Sequence, residues 1–225
     1  MSSHTKNTVA GVDGAKGEWV VALFDGTRMD WTVAGDVAAV LDSTHQCTTV
    51  GVDMPLHMPT SGYRTSELAA KQFLGPARSS IFHTPVAAVL DAETYSDACE
   101  ISRSVTGKAI SKQTWYLLAG VRAWRDATFD VDRVVEVHPE CTFRSIAPTI
   151  RFATKKSARG AGQRLSALAA WVDTANIVDG LAALPPGPVL DDALDAAAAA
   201  VSAWRYSRDE HRVFGAGDDA DRIVA

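Results

Sequence analysis

The sequence predicts an α/β protein built on a five-stranded mixed sheet that is flanked by helices. Three apolar, β-branched runs follow one another near the N-terminus, at 8–12, 19–24 and 29–33, and the intervals between them are too short to hold a helix. Two more such runs, at 48–52 and 134–137, are separated by segments with a helical pattern. This order predicts a three-strand antiparallel meander extended by two parallel strands.

Local residues support these strands. Asp25-Gly26 is a dipeptide typical of a tight hairpin turn, and it separates the second strand from the third. The run at 48–52 is apolar on both faces, which favours a central position in the sheet. A short helix is expected over 36–41, between the third strand and the fourth.

The segment 54–132 has the pattern of helices broken by loops. Helices are expected over about 63–74, 94–105 and 111–128, and after the fifth strand over about 162–172, 175–184 and 190–206. We therefore expect a single domain over 1–225, with 54–132 as a helical insertion between strands four and five. This order of elements is the ribonuclease H-like arrangement, whereas a doubly wound fold would need helices between the first three strands.

Composition restricts the class of protein. The three cysteines of the 225 residues, Cys47, Cys99 and Cys141, are odd in number and widely spaced, so neither a disulfide framework nor a thiolate zinc site is indicated. The N-terminus is polar, and the longest apolar run, at 196–201, is too short to cross a bilayer. We expect a cytoplasmic protein that does not bind a membrane.

The net charge of -5 argues against general binding to nucleic acid through a positive field. The basic residues are nevertheless concentrated in two stretches, 101–125 and 151–164, that contain no acidic residue. These stretches are either solvated helix faces or local phosphate contacts, and the sequence leaves both interpretations open.

Two aspartates come at the ends of predicted strands. Asp13 closes the first strand and Asp53 follows the fourth. A partly buried carboxylate is costly unless it is paired, hydrogen-bonded or bound to a metal. If the first and fourth strands are neighbours, the two side chains converge at one edge of the sheet. Each residue taken alone is also compatible with a role in a turn.

Other carboxylates are candidates for the same site. Asp192 and Asp195 are three residues apart, so they share one face of the last helix while Asp191 is expected to point elsewhere. Both are also compatible with a structural role at the helix N-terminus. Glu136, at the end of the fifth strand, is a further candidate.

A cluster of carboxylates predicts a site for Mg²⁺ or Mn²⁺. Two such ions about 4 Å apart can activate a water molecule and stabilise the leaving oxygen of a phosphodiester. The predicted activity is therefore hydrolysis of nucleic acid, DNA or RNA, with Asp13, Asp53, Glu136, Asp192 and Asp195 as catalytic residues and these aspartates as metal ligands. The candidate substrate-binding residues are Lys16, Arg78, Ser79, Lys112, His138 and Lys156.

Five motifs together resemble a known family. In chain order they are GVDGAKGEWVVA, VGVDMPL, LGPARSSIF, TGKAISKQ and EVHPE, and they resemble domain-of-unknown-function family 429, a family of predicted nucleases with a ribonuclease H-like fold. The similarity covers roughly 9–205. The resemblance implies that Asp13 and Asp53 lie at a metal site, and that Asp192 and Asp195 look like the Asp-x-x-Asp pair of the Holliday-junction resolvase branch.

Two other functions are compatible with the sequence. The actin and sugar-kinase fold opens with a similar strand, aspartate and glycine turn, so an ATP-dependent phosphotransferase or ATPase is one alternative. That architecture needs two such units, which a homodimer would supply. A non-catalytic binding module that retains the fold is the other alternative.

Overall fold

The central element is a five-stranded sheet in the order β3-β2-β1-β4-β5. The protein is described by a computed structural model over residues 7–215 and 221–225. β1 is antiparallel to β2, β2 is antiparallel to β3, and β1, β4 and β5 run parallel to one another. The strands are β1 (Val9–Ala15), β2 (Glu18–Phe24), β3 (Met29–Ala34), β4 (Val50–Val52) and β5 (Val134–Glu136). The predicted mixed sheet, with one antiparallel meander and parallel strands, is confirmed.

Helices account for most of the remaining chain. They are α1 (Val37–Ser43), α2 (Thr65–Leu74), α3 (Tyr95–Thr106), α4 (Lys112–Asp126), α5 (Pro139–Ile146), α6 (Ala158–Leu168), α7 (Thr174–Ala183) and α8 (Leu190–Tyr206), with 3-10 helices at Gly75–Ser80 and Ala87–Asp91. A small second sheet pairs β6 (Val213–Phe214) with β7 (Ile223–Val224). The sequence analysis did not predict α5, β6 or β7. None of the helices in the described chain is long and apolar enough to cross a membrane.

The described residues divide into two compact units. The first, called here the sheet unit, comprises residues up to Met54, Phe129–Arg212 and Val224–Ala225. The second, called the helical unit, comprises Pro55–Thr128 and Val213–Ile223. The five-stranded sheet and α8 belong to the sheet unit, whereas α2, α3 and α4 belong to the helical unit.

In the sheet unit, α8 packs unusually closely on β1 and β4. Gly11 and Gly51 lie opposite each other in these two strands. A Cβ on Gly11 would lie 2.0 Å from the backbone nitrogen of Ala200 and 2.1 Å from the carbonyl oxygen of Ala196, and a Cβ on Gly51 would lie 2.6 Å from the carbonyl oxygen of Ala199. The two glycines therefore let the helix backbone touch the sheet, and α8 is held at a defined position above β1.

In the helical unit, a buried arginine organises the start of α2. Arg64 is 2% exposed, and its Nε donates to Oδ1 of Asp221 at 3.0 Å. The same carboxylate accepts from the backbone N–H of Thr65 and the hydroxyl of Ser66. Burial opposes ionisation of Asp221, but hydrogen bonds from Ser66, Thr65 and Arg64 outweigh it and lower the pKa of this carboxyl. Asp221 thus anchors the first turn of α2 as a carboxylate.

Candidate functional site

Two strand-end aspartates lie side by side at one edge of the sheet. Val12 of β1 is opposite Val52 of β4 in a parallel pair, so the next residue of each strand, Asp13 and Asp53, comes to the same point. The backbone N–H of Asp53 donates to the carbonyl of Val12 at 2.9 Å. The side chains of Asp13 and Asp53 are hydrogen-bonded to each other. The register of two neighbouring strands therefore creates this carboxyl pair.

The last helix adds a third carboxylate. Asp195 lies on α8, the helix that packs against β1, and is 2% exposed. Its charge raises the pKa of both Asp13 and Asp53, as expected for carboxylates close in space. Three carboxyl groups from three different elements therefore meet; we call Asp13, Asp53 and Asp195 the acidic cluster.

A lysine is bound to the acidic cluster. The Nζ of Lys155 donates to Oδ2 of Asp195 at 2.5 Å and lies 3.9 Å from Oδ2 of Asp191. Its positive charge also lowers the pKa of Asp13 and Asp53, against the effect of burial. Burial alone would lower the pKa of Lys155, but the carboxylates, above all Asp195, raise it. The ammonium is therefore the local counter-charge.

One ammonium does not neutralise three carboxylates, of which Asp13 and Asp195 are buried and Asp53 is half-buried. Burial first, then the charges of Asp53 and Asp195, raise the pKa of Asp13 well above its usual value. Burial, followed by Asp195, raises the pKa of Asp53 to about 8. Burial also raises the pKa of Asp195 to about 6, although Lys155 opposes it. The cluster thus retains protons at a pH where exposed aspartates have lost theirs.

One oxygen of the acidic cluster lacks a partner. Oδ1 of Asp195 is buried and forms no hydrogen bond with any described residue, while Oδ2 of the same side chain is bound to Lys155. A buried acceptor left without a partner is costly, and such atoms in native proteins are usually satisfied by water or an ion. The oxygen-only donors and this orphaned atom fit a hard divalent cation.

The two remaining predicted carboxylates, Asp192 and Glu136, lie next to the acidic cluster but are not part of it. Oδ2 of Asp192 accepts the backbone N–H of Val189 at 3.0 Å, which caps α8, while its charge also raises the pKa of Asp13. Glu136 is opposite Val52 in the register and is 7% exposed. Its charge raises the pKa of Asp53, but less than the charge of Asp195 does. Both residues therefore lie beside the acidic cluster.

The expected orientation of Asp191 needs a correction. The sequence analysis expected it to point away from the face that carries Asp195. The structure places its Oδ2 3.9 Å from the Lys155 ammonium. Residues four apart on a helix share a face as readily as residues three apart, so Asp191 and Asp195 approach the same cation.

The candidate substrate-binding residues fall in both units. Lys16 (φ 50°) and Gly17 (φ 94°) form the exposed two-residue turn between β1 and β2, with the positive φ angles that such hairpin turns require. His138 is half-buried at the N-cap of α5, and Lys156 is exposed. Arg78, Ser79 and Lys112 belong to the helical unit, where all three are exposed.

Arg164 holds the loop that carries Lys155. Its Nη1 donates to the carbonyls of Ala153 and Gly160 at 3.0 Å each, and its Nη2 donates to Oε1 of Glu140 at 2.5 Å. The guanidinium also lies over two phenylalanine rings. Because Arg164 is 3% exposed and bound on several sides, it fixes the position from which Lys155 reaches Asp195.

Sequence reasoning did not select Lys155, Glu140 or Arg164 as site residues. The stretch 151–164 was recognised as basic, but the sequence has no signal that prefers Lys155 to the adjacent Lys156. The difference arises because an irregular segment, which has no periodicity, directs one side chain inward and the next outward. Glu140 lies in the EVHPE motif, whose Glu136 and His138 are candidate site residues, but the motif gives no role to Glu140 itself.

Among the described residues, no group of three or more histidine, cysteine, aspartate or glutamate side chains is arranged to hold a metal ion as it stands. In this arrangement Asp195 is paired with the Lys155 ammonium and Asp13 with Asp53. A metal bound here would replace both of these pairings.

The site belongs to an α/β protein with buried carboxylates at the edge of a mixed sheet. The chain is a member of the family described as "Protein of unknown function (DUF429)", whose family model matches residues 11–220. The match includes all residues of the acidic cluster. A search of curated proteins and a search of solved structures gave no match.

Proposed function

We propose that this protein is a divalent-metal-dependent nuclease that hydrolyses phosphodiester bonds of nucleic acid. The observation that carries the proposal is the meeting of carboxyl groups from three separate elements. Asp13 and Asp195 are buried, Asp53 is half-buried, and among the described residues the Lys155 ammonium is bound to Asp195. Carboxyl groups held this close together are stabilised either by retained protons or by a cation, and a donor set made only of oxygens suits a divalent cation.

The proposal includes a ribonuclease H-like fold. The strand order β3-β2-β1-β4-β5, with β2 as the antiparallel strand next to β1, supports this assignment. The assignment is also supported by the positions of the acidic residues, on β1, directly after β4 and on the helix that packs across β1. Fold analogy alone would not establish an activity, so the proposal depends on the site.

Asp13, Asp53 and Asp195 would hold Mg²⁺ or Mn²⁺, with Asp192 and Glu136 beside them. When bound, such ions would lower the pKa of a water molecule and stabilise the negative charge that develops on the leaving oxygen. Asp192 already accepts the hydrogen bond from Val189 through Oδ2, which leaves Oδ1 for further contacts.

Lys155 has a second role in this proposal. Its side chain is 39% exposed, so the ammonium can leave Asp195 without crossing the protein interior. Released from Asp195, it would bind a phosphate oxygen of the substrate. Lys16, at the exposed β1–β2 turn, and Lys156 would add phosphate contacts from the same unit.

Cleavage assays test the proposal directly. Labelled single- and double-stranded DNA, RNA and a hybrid duplex are incubated with the protein and Mg²⁺ or Mn²⁺. We expect cleavage by the wild type, a loss of about a hundredfold or more in Asp13→Asn, and normal cleavage in Asp179→Asn, a change at an exposed residue of α7. Absence of wild-type cleavage on every substrate, or full activity of Asp13→Asn, would reject the nuclease.

A further inference from the structure

The helical unit contains a cavity of its own. Its volume is about 350 Å³, which is within the range of sites for small ligands. Ile81, Val86 and Ile110 form its buried apolar part, and polar or aromatic side chains line the rest. The latter include Tyr63, Lys71, Phe82, His83, Lys108 and Ser111. All lining residues lie in one unit, so the cavity does not depend on the acidic cluster.

The charge of this cavity is positive. Lys71 and Lys108 line it, and none of the described lining residues is acidic. The Nζ of Lys71 donates to the carbonyl of Ile81 at 2.6 Å, and the Nζ of Lys108 donates to the hydroxyl of Tyr63 at 3.1 Å. Both partners are neutral, so within the described residues neither ammonium is paired with a carboxylate. A lining with two lysines and no acidic side chain favours an anionic ligand.

Burial and the positive charge of the cavity together lower the pKa of a histidine in its wall. Burial, then the charges of Lys71 and Lys108, lower the pKa of His83. Its Nδ1 lies 3.2 Å from Oε2 of Glu67, and Oε1 of Glu67 accepts from the backbone N–H of Thr84. Glu67 is thus held by His83 and Thr84 and does not line the cavity; its charge offsets part of the charge of Lys71, with which it interacts, and Lys108 has no such acidic neighbour among the lining residues.

Two further features suit a phosphate ester attached to a flat ring. The ring of Tyr63 stacks on His83 with centroids 4.1 Å apart and remains 42% exposed, and Phe82 is 39% exposed. Ser111 is the N-cap of α4, a helix of 15 residues with no acidic residue in its first turn. The partial positive charge of that helix end adds to the charges of the lysines.

We infer that the cavity of the helical unit binds a mononucleotide, with the phosphate at Lys71 and Lys108 and the base against the exposed aromatic rings of Tyr63 and Phe82. Charge-assisted hydrogen bonds would hold the phosphate. Any of the bases can stack on an aromatic side chain, so the site would not select one base. This site is distinct from the proposed nuclease centre.

Isothermal titration of the full chain tests this inference. The titrations use AMP, UMP, adenosine and inorganic phosphate, with chelator present so that no divalent ion is bound at the acidic cluster. We expect AMP and UMP to bind, adenosine and inorganic phosphate to bind about tenfold more weakly or worse, and Lys108→Gln to weaken AMP binding by about tenfold or more.

Matched variants separate binding from folding. Lys108 and Lys112 are both exposed, but only Lys108 lines the cavity, so Lys112→Gln should bind AMP normally. Tyr63→Ala should weaken AMP more than inorganic phosphate. Failure of both nucleotides to bind at millimolar concentration, undiminished affinity in Lys108→Gln, or equal affinity for AMP and inorganic phosphate would overturn the inference. None of these results depends on nuclease activity.

Discussion

The ammonium of Lys155 lies 2.5 Å from one carboxylate oxygen of Asp195, while the other oxygen of that side chain has no partner among the described residues. The Lys155 ammonium thus binds one of the two oxygens of Asp195, the most buried carboxylate of the acidic cluster. The other oxygen, and the hydrogen-bonded pair of Asp13 and Asp53, define where a further cation would stabilise the protein.

Divalent ions should stabilise the wild type. A ligand that binds only the folded state at a concentration a hundred times its Kd contributes about 2.7 kcal/mol. We expect the melting temperature to rise in millimolar Mn²⁺ or Mg²⁺ and to fall back to its metal-free value when chelator is added. Asp195→Asn should lose most of this shift, whereas Asp179→Asn should keep it. A wild type that melts at the same temperature with and without these ions would contradict the metal site. The same series with ATP tests the phosphotransferase alternative.

Stability without metal should fall as the pH rises. Burial raises the pKa of Asp53 to about 8 and that of Asp195 to about 6, from 3.8. Between about pH 4 and pH 8 the folded state therefore binds more protons than the unfolded state. The stabilisation that these protonated carboxyl groups contribute is fully present below about pH 4 and is lost as the pH rises towards 8. Urea unfolding in chelator, at intervals from about pH 5 to pH 8, measures this loss.

A variant isolates the contribution of the acidic cluster to this pH dependence. Asp53→Asn cannot be deprotonated, so its stability should decline less steeply than that of the wild type over the same interval. Asp179→Asn should follow the wild type, and contributions from other titrating groups such as His83 cancel in the comparison. Identical slopes for the wild type and Asp53→Asn would show that Asp53 titrates as an ordinary carboxyl.

Replacing Lys155 should have opposite effects with and without metal. Lys155→Met leaves Asp195 without its counter-charge, so in chelator we expect a loss of about 1–3 kcal/mol, reduced by the 39% exposure of the lysine. The gain in unfolding free energy on adding Mn²⁺ should be larger for Lys155→Met than for the wild type, because the Lys155 ammonium no longer competes with the metal for Asp195. Chemical unfolding in both buffers measures this. The adjacent, exposed Lys156→Met is the control, and equal behaviour of the two variants would contradict the role of Lys155.

The contact between the sheet and α8 should be intolerant of a methyl group. Gly11→Ala would place a Cβ 2.0 Å from the backbone of Ala200, so we expect a destabilisation of about 3 kcal/mol or more. Gly35→Ala is the matched control, since nothing lies within 4 Å of its added Cβ. Thermal unfolding followed by circular dichroism compares the two. Wild-type stability of Gly11→Ala would show that the helix can move away at little cost.

The sequence predicted the sheet because chain connectivity restricts it strongly. Short intervals between the first three strands allow only an antiparallel meander. The run at 48–52 is apolar on both faces, which favours a central position for this strand in the sheet. The pairing of Asp13 with Asp53 follows from that topology, since parallel strands of equal register end together. The turn at Lys16-Gly17, by contrast, requires a positive φ at a lysine, which the sequence does not reveal.

The elements that the sequence did not predict lack a periodic signal. α5 is only eight residues long and begins with Pro139, separated by two residues from the end of β5, so its sequence resembles that of a loop. β6 and β7 have two residues each. Lys155 reaches Asp195 from an irregular segment held by Arg164, and such tertiary contacts leave no local pattern. The charge of the helical-unit cavity likewise arises from Lys71 and Lys108, which are 37 positions apart in the chain.

The paired glycines have a consequence for protein engineering. Gly11 and Gly51 bring α8 into backbone contact with β1 and β4, and this separation determines how far Asp195 stands from the two strand-end aspartates. Transplanting the three carboxylates into another α/β scaffold would therefore fail unless the recipient also had small residues at both positions. In a designed enzyme, the spacing between layers would have to be specified before any side chain of the site was chosen.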